Sequence, residues 1–169
     1  TEIYMNAFMS CSNLSKVEFQ ENSELIIIER SVFVSTKITE IKIPPHVKEI
    51  AVETFMNCHS LCKIEFPDNS ELETIKIHAF YNTDIQSITI PKSVTKLQAG
   101  WNNGMSNLRE VKIKEGNNNF KIIDDSFIVG KTNQKSNEFD LLVYVRNNLT
   151  NVIINEFNHI HLHIQKLKM

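Results

Sequence analysis

Three histidines alternate near the end of the chain: His159, His161 and His163, separated by Ile160 and Leu162. On an extended strand the side-chain period of two turns all three imidazoles to one side, an arrangement that could hold a metal ion. No carboxylate or cysteine stands at a fixed spacing to complete such a site, so the triplet reads better as an exposed polar face. The cysteines Cys11, Cys58 and Cys62 are odd in number and define no disulfide framework. Cys62 follows Cys58 by four positions with no second pair to close a zinc site. Asp124-Asp125 reads as a turn. Gly-x-Ser-x-Gly, His-Glu-x-x-His and glycine-rich phosphate loops are absent, and no nucleophile lies at a credible spacing from a base. The sequence therefore predicts no catalytic residue, no metal site and no cofactor. Asn13-Leu14-Ser15 and Asn148-Leu149-Thr150 fit the N-glycosylation acceptor pattern, which permits a secretory route without requiring one.

Composition narrows the partners. A formal net charge of -2 provides no basic field for nucleic acid or anionic membrane. The longest apolar runs, Leu25 to Ile28 and Leu141 to Val145, are too short to cross a bilayer. No secretory leader is legible at Thr1.

What must position any functional side chain is a repeat. Ile3, Phe8, Cys11, Leu14, Val17 and Phe19 recur 47 positions later as Ile50, Phe55, Cys58, Leu61, Ile64 and Phe66. Between them lies a second frame, Ile28, Phe33, Ile38, Ile41 and Ile43. It recurs as Ile75, Phe80, Ile85, Ile88 and Ile90. Frames follow one another by 25, 22, 25 and 22 residues, inside the range of leucine-rich repeats. A fifth frame keeps Leu97, Leu108, Val111 and Ile113, but Asn102 stands where a Phe is expected and Trp101 fills the small-residue place of Ala7 and Ala79.

Each frame makes sense as one coil. The apolar-x-apolar pairs Val17/Phe19, Ile41/Ile43, Ile64/Phe66, Ile88/Ile90 and Val111/Ile113 have the period of a half-buried strand. Pro44, Pro67 and Pro91 end strands, and Glu21-Asn22-Ser23 and Asp68-Asn69-Ser70 turn the chain. The Phe-bearing stretch, such as Val52 to Met56, is expected to form a short helical or 3-10 turn on the far side. The expected architecture is one leucine-rich repeat solenoid over residues 1–169, with repeats near 1–23, 24–47, 48–70, 71–94 and 95–119. An irregular hairpin unit over 120–146 and a partial repeat over 147–169 follow, the latter signalled by Leu149, Val152 and Ile154. Cys11 and Cys58 then hold equivalent places two coils apart, about 10 Å, too far for a disulfide, and read as small core residues.

The outward strand residues form two rows: Lys16, Glu40, Lys63, Ser87 and Glu110, then Glu18, Lys42, Glu65, Thr89 and Lys112. Wherever neighbouring coils both carry charge, the signs are opposite, the pattern of a ladder that sets register by cross-strand pairs. A charged binding surface is the competing reading. Recognition is expected instead where the repeat fails. The candidate partner contacts are Trp101, with burial in place of the missing Phe as its alternative, and Lys131, Asn133, Lys135 and Tyr144 on the hairpin Phe127 to Val145.

The chain resembles the BspA-like leucine-rich repeat family, also described as the Treponema pallidum-type repeat. The resemblance rests on Ala7-Phe8-x-x-Cys11-x-x-Leu14-x-x-Val17-x-Phe19 and its Thr54 to Phe66 counterpart, and on Ile41-x-Ile43-Pro44-x-x-Val47 and Ile88-x-Ile90-Pro91-x-x-Val94. Gly100-Trp101, Asn119-Phe120, Ile128 to Lys131 and Phe139 to Val143 look especially like the protist, trichomonad-like branch; Asn155 departs from the pattern, which has Pro after the strand. The resemblance implies a surface or secreted protein that adheres to host cells or matrix through a protein partner. A structural scaffold, or a self-associating segment of a larger intracellular protein, is the alternative. Thr1 and Met169 both fall inside repeats, which predicts either a longer natural chain or ends that pair between molecules.

Overall fold

A computed structural model describes residues 1–123 and 127–145. The histidine triplet, Asp124-Asp125, Asn148 and the partial repeat lie outside these. Two compact units divide the chain, Thr1–Asn117 and a second from Asn118 onward.

The first unit is a β-solenoid of five coils. Each coil opens with a two-residue strand: β1 (Glu2–Ile3), β2 (Ile27–Ile28), β4 (Glu49–Ile50), β6 (Thr74–Ile75) and β8 (Lys96–Leu97). These form one parallel five-stranded sheet that puts Ile28, Ile50 and Ile75 in register. The predicted strand face follows in the second to fifth coils as β3 (Glu40–Lys42), β5 (Lys63–Glu65), β7 (Ser87–Ile90) and β9 (Glu110–Ile113), with β3 paired to β5 and β7 to β9. On this face the strands pair in twos, since no ladder links β5 to β7 among the described residues, while the five-stranded sheet joins all five coils.

Between the two strands of a coil, helical turns were expected, and no helix is found among the described residues. Two residues per coil, four apart, take left-handed backbone: Asn6 and Ser10, Ser31 and Ser35, Glu53 and Asn57, His78 and Asn82, then Gly100 and Gly104. A right-handed helix cannot run through them. The freed N–H groups bond to the next coil instead, as in Phe8 N to Val32 O (3.0 Å), Phe33 N to Thr54 O (2.9 Å) and Phe55 N to Ala79 O (2.9 Å). The stretch is a third inter-coil ladder, which satisfies the backbone where no strand is assigned.

Gly104 is needed for two reasons: its φ is +73°, and a Cβ there would lie 2.5 Å from Asn82 Oδ1 and 2.9 Å from Asn82 N. The Asn82 side chain, which donates to Asn57 Oδ1 (3.0 Å), already fills that space. Gly104→Ala is expected to lose about 1–3 kcal/mol by chemical denaturation. Gly100→Ala meets chiefly the movable Asn103 side chain and should lose less.

Inside the coils the phenylalanines stack. Phe8, Phe33, Phe55 and Phe80 lie ring on ring with centroids 5.4–5.8 Å apart, and Trp101 ends the column edge-on to Phe80 at 6.4 Å. Cys58 is buried as expected and its thiol donates to Phe33 O (2.9 Å). Burial pushes that thiol's pKa up. Cys11 is exposed, contrary to expectation, because the first coil has a neighbour on one side only; Tyr4, Met5, Phe8 and Met9 are exposed with it.

The second unit is a three-stranded antiparallel sheet of β10 (Phe120–Ile123), β11 (Phe127–Gly130) and β12 (Leu141–Val145). The expected hairpin is its β11–β12 half, and β10 adds a strand.

Candidate interaction surface

The strand face carries the charge rows in the expected register: Glu40 opposite Lys63, Lys42 opposite Glu65, Ser87 opposite Glu110 and Thr89 opposite Lys112. The ion pairs among these rows, however, run along the chain within one coil: Lys16–Glu18 (2.7 Å), Lys63–Glu65 (2.5 Å) and Lys112–Glu110 (3.0 Å). Residues two apart on a strand share a face, so a Lys-x-Glu pair closes on itself before reaching the next coil. Coils are bridged by ion pairs elsewhere, in positions the strand rows do not include: Arg30–Glu53 (3.2 Å), Lys48–Glu73 (3.5 Å), Lys76–Glu49 (3.1 Å) and Lys114–Asp68, with a His46–Glu71 hydrogen bond (2.9 Å) beside them.

Lys63 draws the Glu65 carboxyl below its usual pKa, with Lys42 adding a smaller pull, and Glu65 raises Lys63 in return. A lowered carboxylate contributes above its unfolded pKa and loses the contribution as pH falls through the folded value; a raised lysine loses its own only as pH rises past the folded value. The Lys63–Glu65 pair is therefore intact at neutral pH. Lys42→Glu would place a third carboxylate in line between Glu18 and Glu65. We expect a melting temperature lower by a degree or two at low salt, about 0.2–1 kcal/mol, with most of the loss recovered at high salt. An unchanged low-salt melting curve would remove the ladder from the account.

A groove of about 760 Å³ opens on this face, lined by the 16–21 segment, by Glu40 to Pro45 and by Lys63, Glu65, Pro67 and Asn69. It exists because pairing stops early. Leu14 O accepts from Lys37 N (2.9 Å) and Ser15 O from Thr39 N (3.3 Å), after which Lys16 to Phe19 bond to no other backbone among the described residues. Val17/Phe19 was expected to form a strand and is not one.

The residues singled out for partner contact are divided by the structure. Trp101 has 0% exposure and belongs to the aromatic column, so the exposed-anchor reading is replaced by its alternative. Tyr144, at 7% exposure, is packed into the second unit and is likewise no surface anchor. Lys131, Asn133 and Lys135 do share one loop. Lys131 Nζ sits 5.0 Å over the Phe139 ring, and Asn133 Oδ1 accepts from Lys135 N (3.0 Å), leaving the Lys135 side chain in solvent. The sequence reading missed the neck of this loop, where Asp140 accepts from Thr132 N (2.7 Å) and from the Thr132 hydroxyl. An Asp eight residues after a Thr across a polar loop is the signal that could have shown it. Among the described residues no three His, Cys, Asp or Glu side chains are placed to hold a metal, and no helix is long and apolar enough to cross a membrane.

Known proteins place this architecture. The chain is similar to the solved pneumococcal vaccine antigen PcpA, at 27% identity and a TM-score of 0.77, over 86% of this chain and 34% of that one. It shares its fold with a leucine rich cell surface protein of Faecalibacterium prausnitzii A2-165, at 22% identity and a TM-score of 0.68, over 86% and 36% of the two chains. The chain therefore spans about a third of the length of these structures. No curated protein matches it. The BspA type leucine rich repeat region matches in six copies over residues 1–58 and 26–149. With the frames, the stacked coils and that match in agreement, the chain belongs to the BspA-type leucine-rich repeat family.

Proposed function

We propose that this chain is a non-enzymatic protein-binding module of a surface or secreted repeat protein, serving adhesion, and that its partner docks in the groove of the strand face. The groove is the observation that carries the reading. It offers unpaired backbone and uncompensated space on a scaffold whose coils are otherwise bonded to one another, and binding sites favour such irregularities on rigid frames. The likeness to a vaccine antigen supports a surface location, and the Gly-Trp and hairpin stretch supports the protist branch. Lys131, Asn133 and Lys135 on the second unit's loop serve as a subsidiary contact in this reading.

Two experiments test it. An antibody to this segment should stain unpermeabilised cells; signal appearing only after permeabilisation contradicts the surface location. The labelled chain should bind cultured epithelial cells or immobilised matrix protein saturably. Lys16→Glu with Lys63→Glu, which changes the groove walls without touching the core, should weaken that binding about tenfold, the scale of one or two lost charged contacts. Equal binding by this variant, or none by the parent chain, would contradict the assignment of the groove.

A further inference from the structure

The five-stranded sheet carries an irregularity of its own, made of residues that do not line the groove. One row of residues along it, chained from coil to coil by backbone bonds, is Thr1, Ile26, Lys48, Glu73 and Thr95. The next row, in strand register, is Glu2, Ile27, Glu49, Thr74 and Lys96. Every place in both rows is charged or carries a hydroxyl except in the second coil, where both are isoleucine. Ile26 is 43% and Ile27 46% exposed, between the buried Leu25 and Ile28. The second coil has a neighbour on each side, so this exposure is not an effect of the open first coil. Tyr4 is 68% exposed, and its hydroxyl lies within hydrogen-bonding reach of Glu2, the residue opposite Ile27. A single exposed isoleucine is ordinary, but two in succession close to a tyrosine make a patch.

The rim of this patch is acidic and uncompensated. Glu24 lies two residues before Ile26, Glu29 two after Ile27, and Glu2 opposite Ile27 across the β1–β2 ladder. None of the three has an ion pair among the described residues. Farther along the same sheet the charges are used between coils, Lys48 with Glu73 (3.5 Å) and Lys76 with Glu49 (3.1 Å). Glu29 Oε2 accepts from Met5 N (2.7 Å), which orients that carboxylate without cancelling its charge. Hydrogen bonding to Glu2, with the charges of Glu2 and Glu29, raises the Tyr4 pKa above that of an ordinary phenol, so the ring is neutral beside the acids at neutral pH.

We propose that Ile26, Ile27 and Tyr4 form a second docking surface, which receives a partner protein segment with aliphatic residues at its centre and lysine or arginine on both flanks. The aliphatic side chains cover the two isoleucines, while the basic ones reach Glu24 and Glu29 at the ends and Glu2 at the side. The stem of a lysine or arginine packs on the Tyr4 ring. Opposite charge draws such a segment in and fixes its placement, and the same acids turn away an anionic lipid surface. The surface is independent of the groove, so either can be lost without the other.

The test titrates a fluorescent peptide, Arg-Arg-Leu-Leu-Leu-Arg-Arg, into the whole chain at low salt. Saturable binding is expected, weakening as salt is raised because the rim charges are exposed. Ile26→Thr with Ile27→Thr gives the second coil the residue type that Thr95 and Thr74 supply in later coils. That variant should melt like the parent and bind the peptide about tenfold more weakly. Ile27→Thr alone, the smaller change, decides the point if the pair folds poorly. Glu2→Gln, Glu24→Gln and Glu29→Gln together should weaken binding by about the same factor and remove most of its salt dependence. Glutamine at 29 keeps an acceptor for Met5 N, as Gln98 Oε1 does for Ile77 N (3.0 Å). A peptide with serine in place of leucine should bind the parent about tenfold more weakly, and one with glutamate in place of arginine should not bind. Undiminished binding by the isoleucine variant or of the serine peptide would mean that charge alone draws the peptide, and would overturn the surface. Binding of the glutamate peptide, or no saturable binding at all, would overturn it as well.

Discussion

Phe55→Ala is expected to be the most damaging single substitution in the solenoid, at about 3–5 kcal/mol. The ring has no exposure and stacks on Phe33 at 5.4 Å and Phe80 at 5.8 Å, so its removal opens a cavity that touches three coils at once. In a repeat protein, stability is approximately the sum of coil terms and nearest-neighbour interfaces. Losing Phe55 weakens two adjoining interfaces together. At roughly 4 °C per kcal/mol for a unit of this size, the melting temperature should fall by about 10–20 °C. Phe8→Ala is the internal control. That ring is 38% exposed and stacks on one side only, so its loss should be well under half as large. Equal losses at the two positions would mean that the column does not carry the stack.

Trp101→Ala should cost about 3–5 kcal/mol as well, and for a different reason. The fifth coil lacks the column's phenylalanine, and Trp101, one position earlier, swings its ring edge-on against Phe80 at 85° between planes to close the column. Adding Asn102→Phe to Trp101→Ala recreates the Ala79-Phe80 pair one coil later and should recover part of the loss. Any weakening of partner binding should follow the loss of folded protein. A Trp101→Ala chain that melts like the parent but no longer binds would return Trp101 to the surface.

Much of this fold is legible in the residue pattern. The rows Ile28/Ile50/Ile75 and Phe33/Phe55/Phe80 are buried at 0–1% exposure, because equal spacing in successive coils forces equivalent side chains into the same interior. The charge register is readable for the same reason. Three features are not. The five-stranded sheet is made of two-residue strands, such as Glu49–Ile50, too short for any alternation to show. Left-handed backbone at Ser31 and His78 accompanies hydrogen bonds to the neighbouring coil, whereas at Asn6, Asn57, Asn82, Gly100 and Gly104 the residue type itself favours that conformation. Leu141 to Val145 is apolar throughout, so no period indicates on which side Tyr144 falls.

The groove is the least legible feature of all. Lys16-Val17-Glu18-Phe19 and Lys63-Ile64-Glu65-Phe66 carry the same pattern, yet β5 is paired and its counterpart is not. Pairing depends on which coil lies alongside, and a residue pattern within one coil does not contain that information.

Native-state hydrogen exchange of the free chain tests the open groove most directly. Phe33, Phe55 and Ile43, whose amides bond to the next coil, should be strongly protected, whereas Val17, Glu18 and Phe19 should exchange at nearly the rate of unstructured peptide. Protection of Val17 to Phe19 equal to that of Ile43 would mean that the first coil is zipped onto β3, that no groove opens there, and that the binding site lies elsewhere.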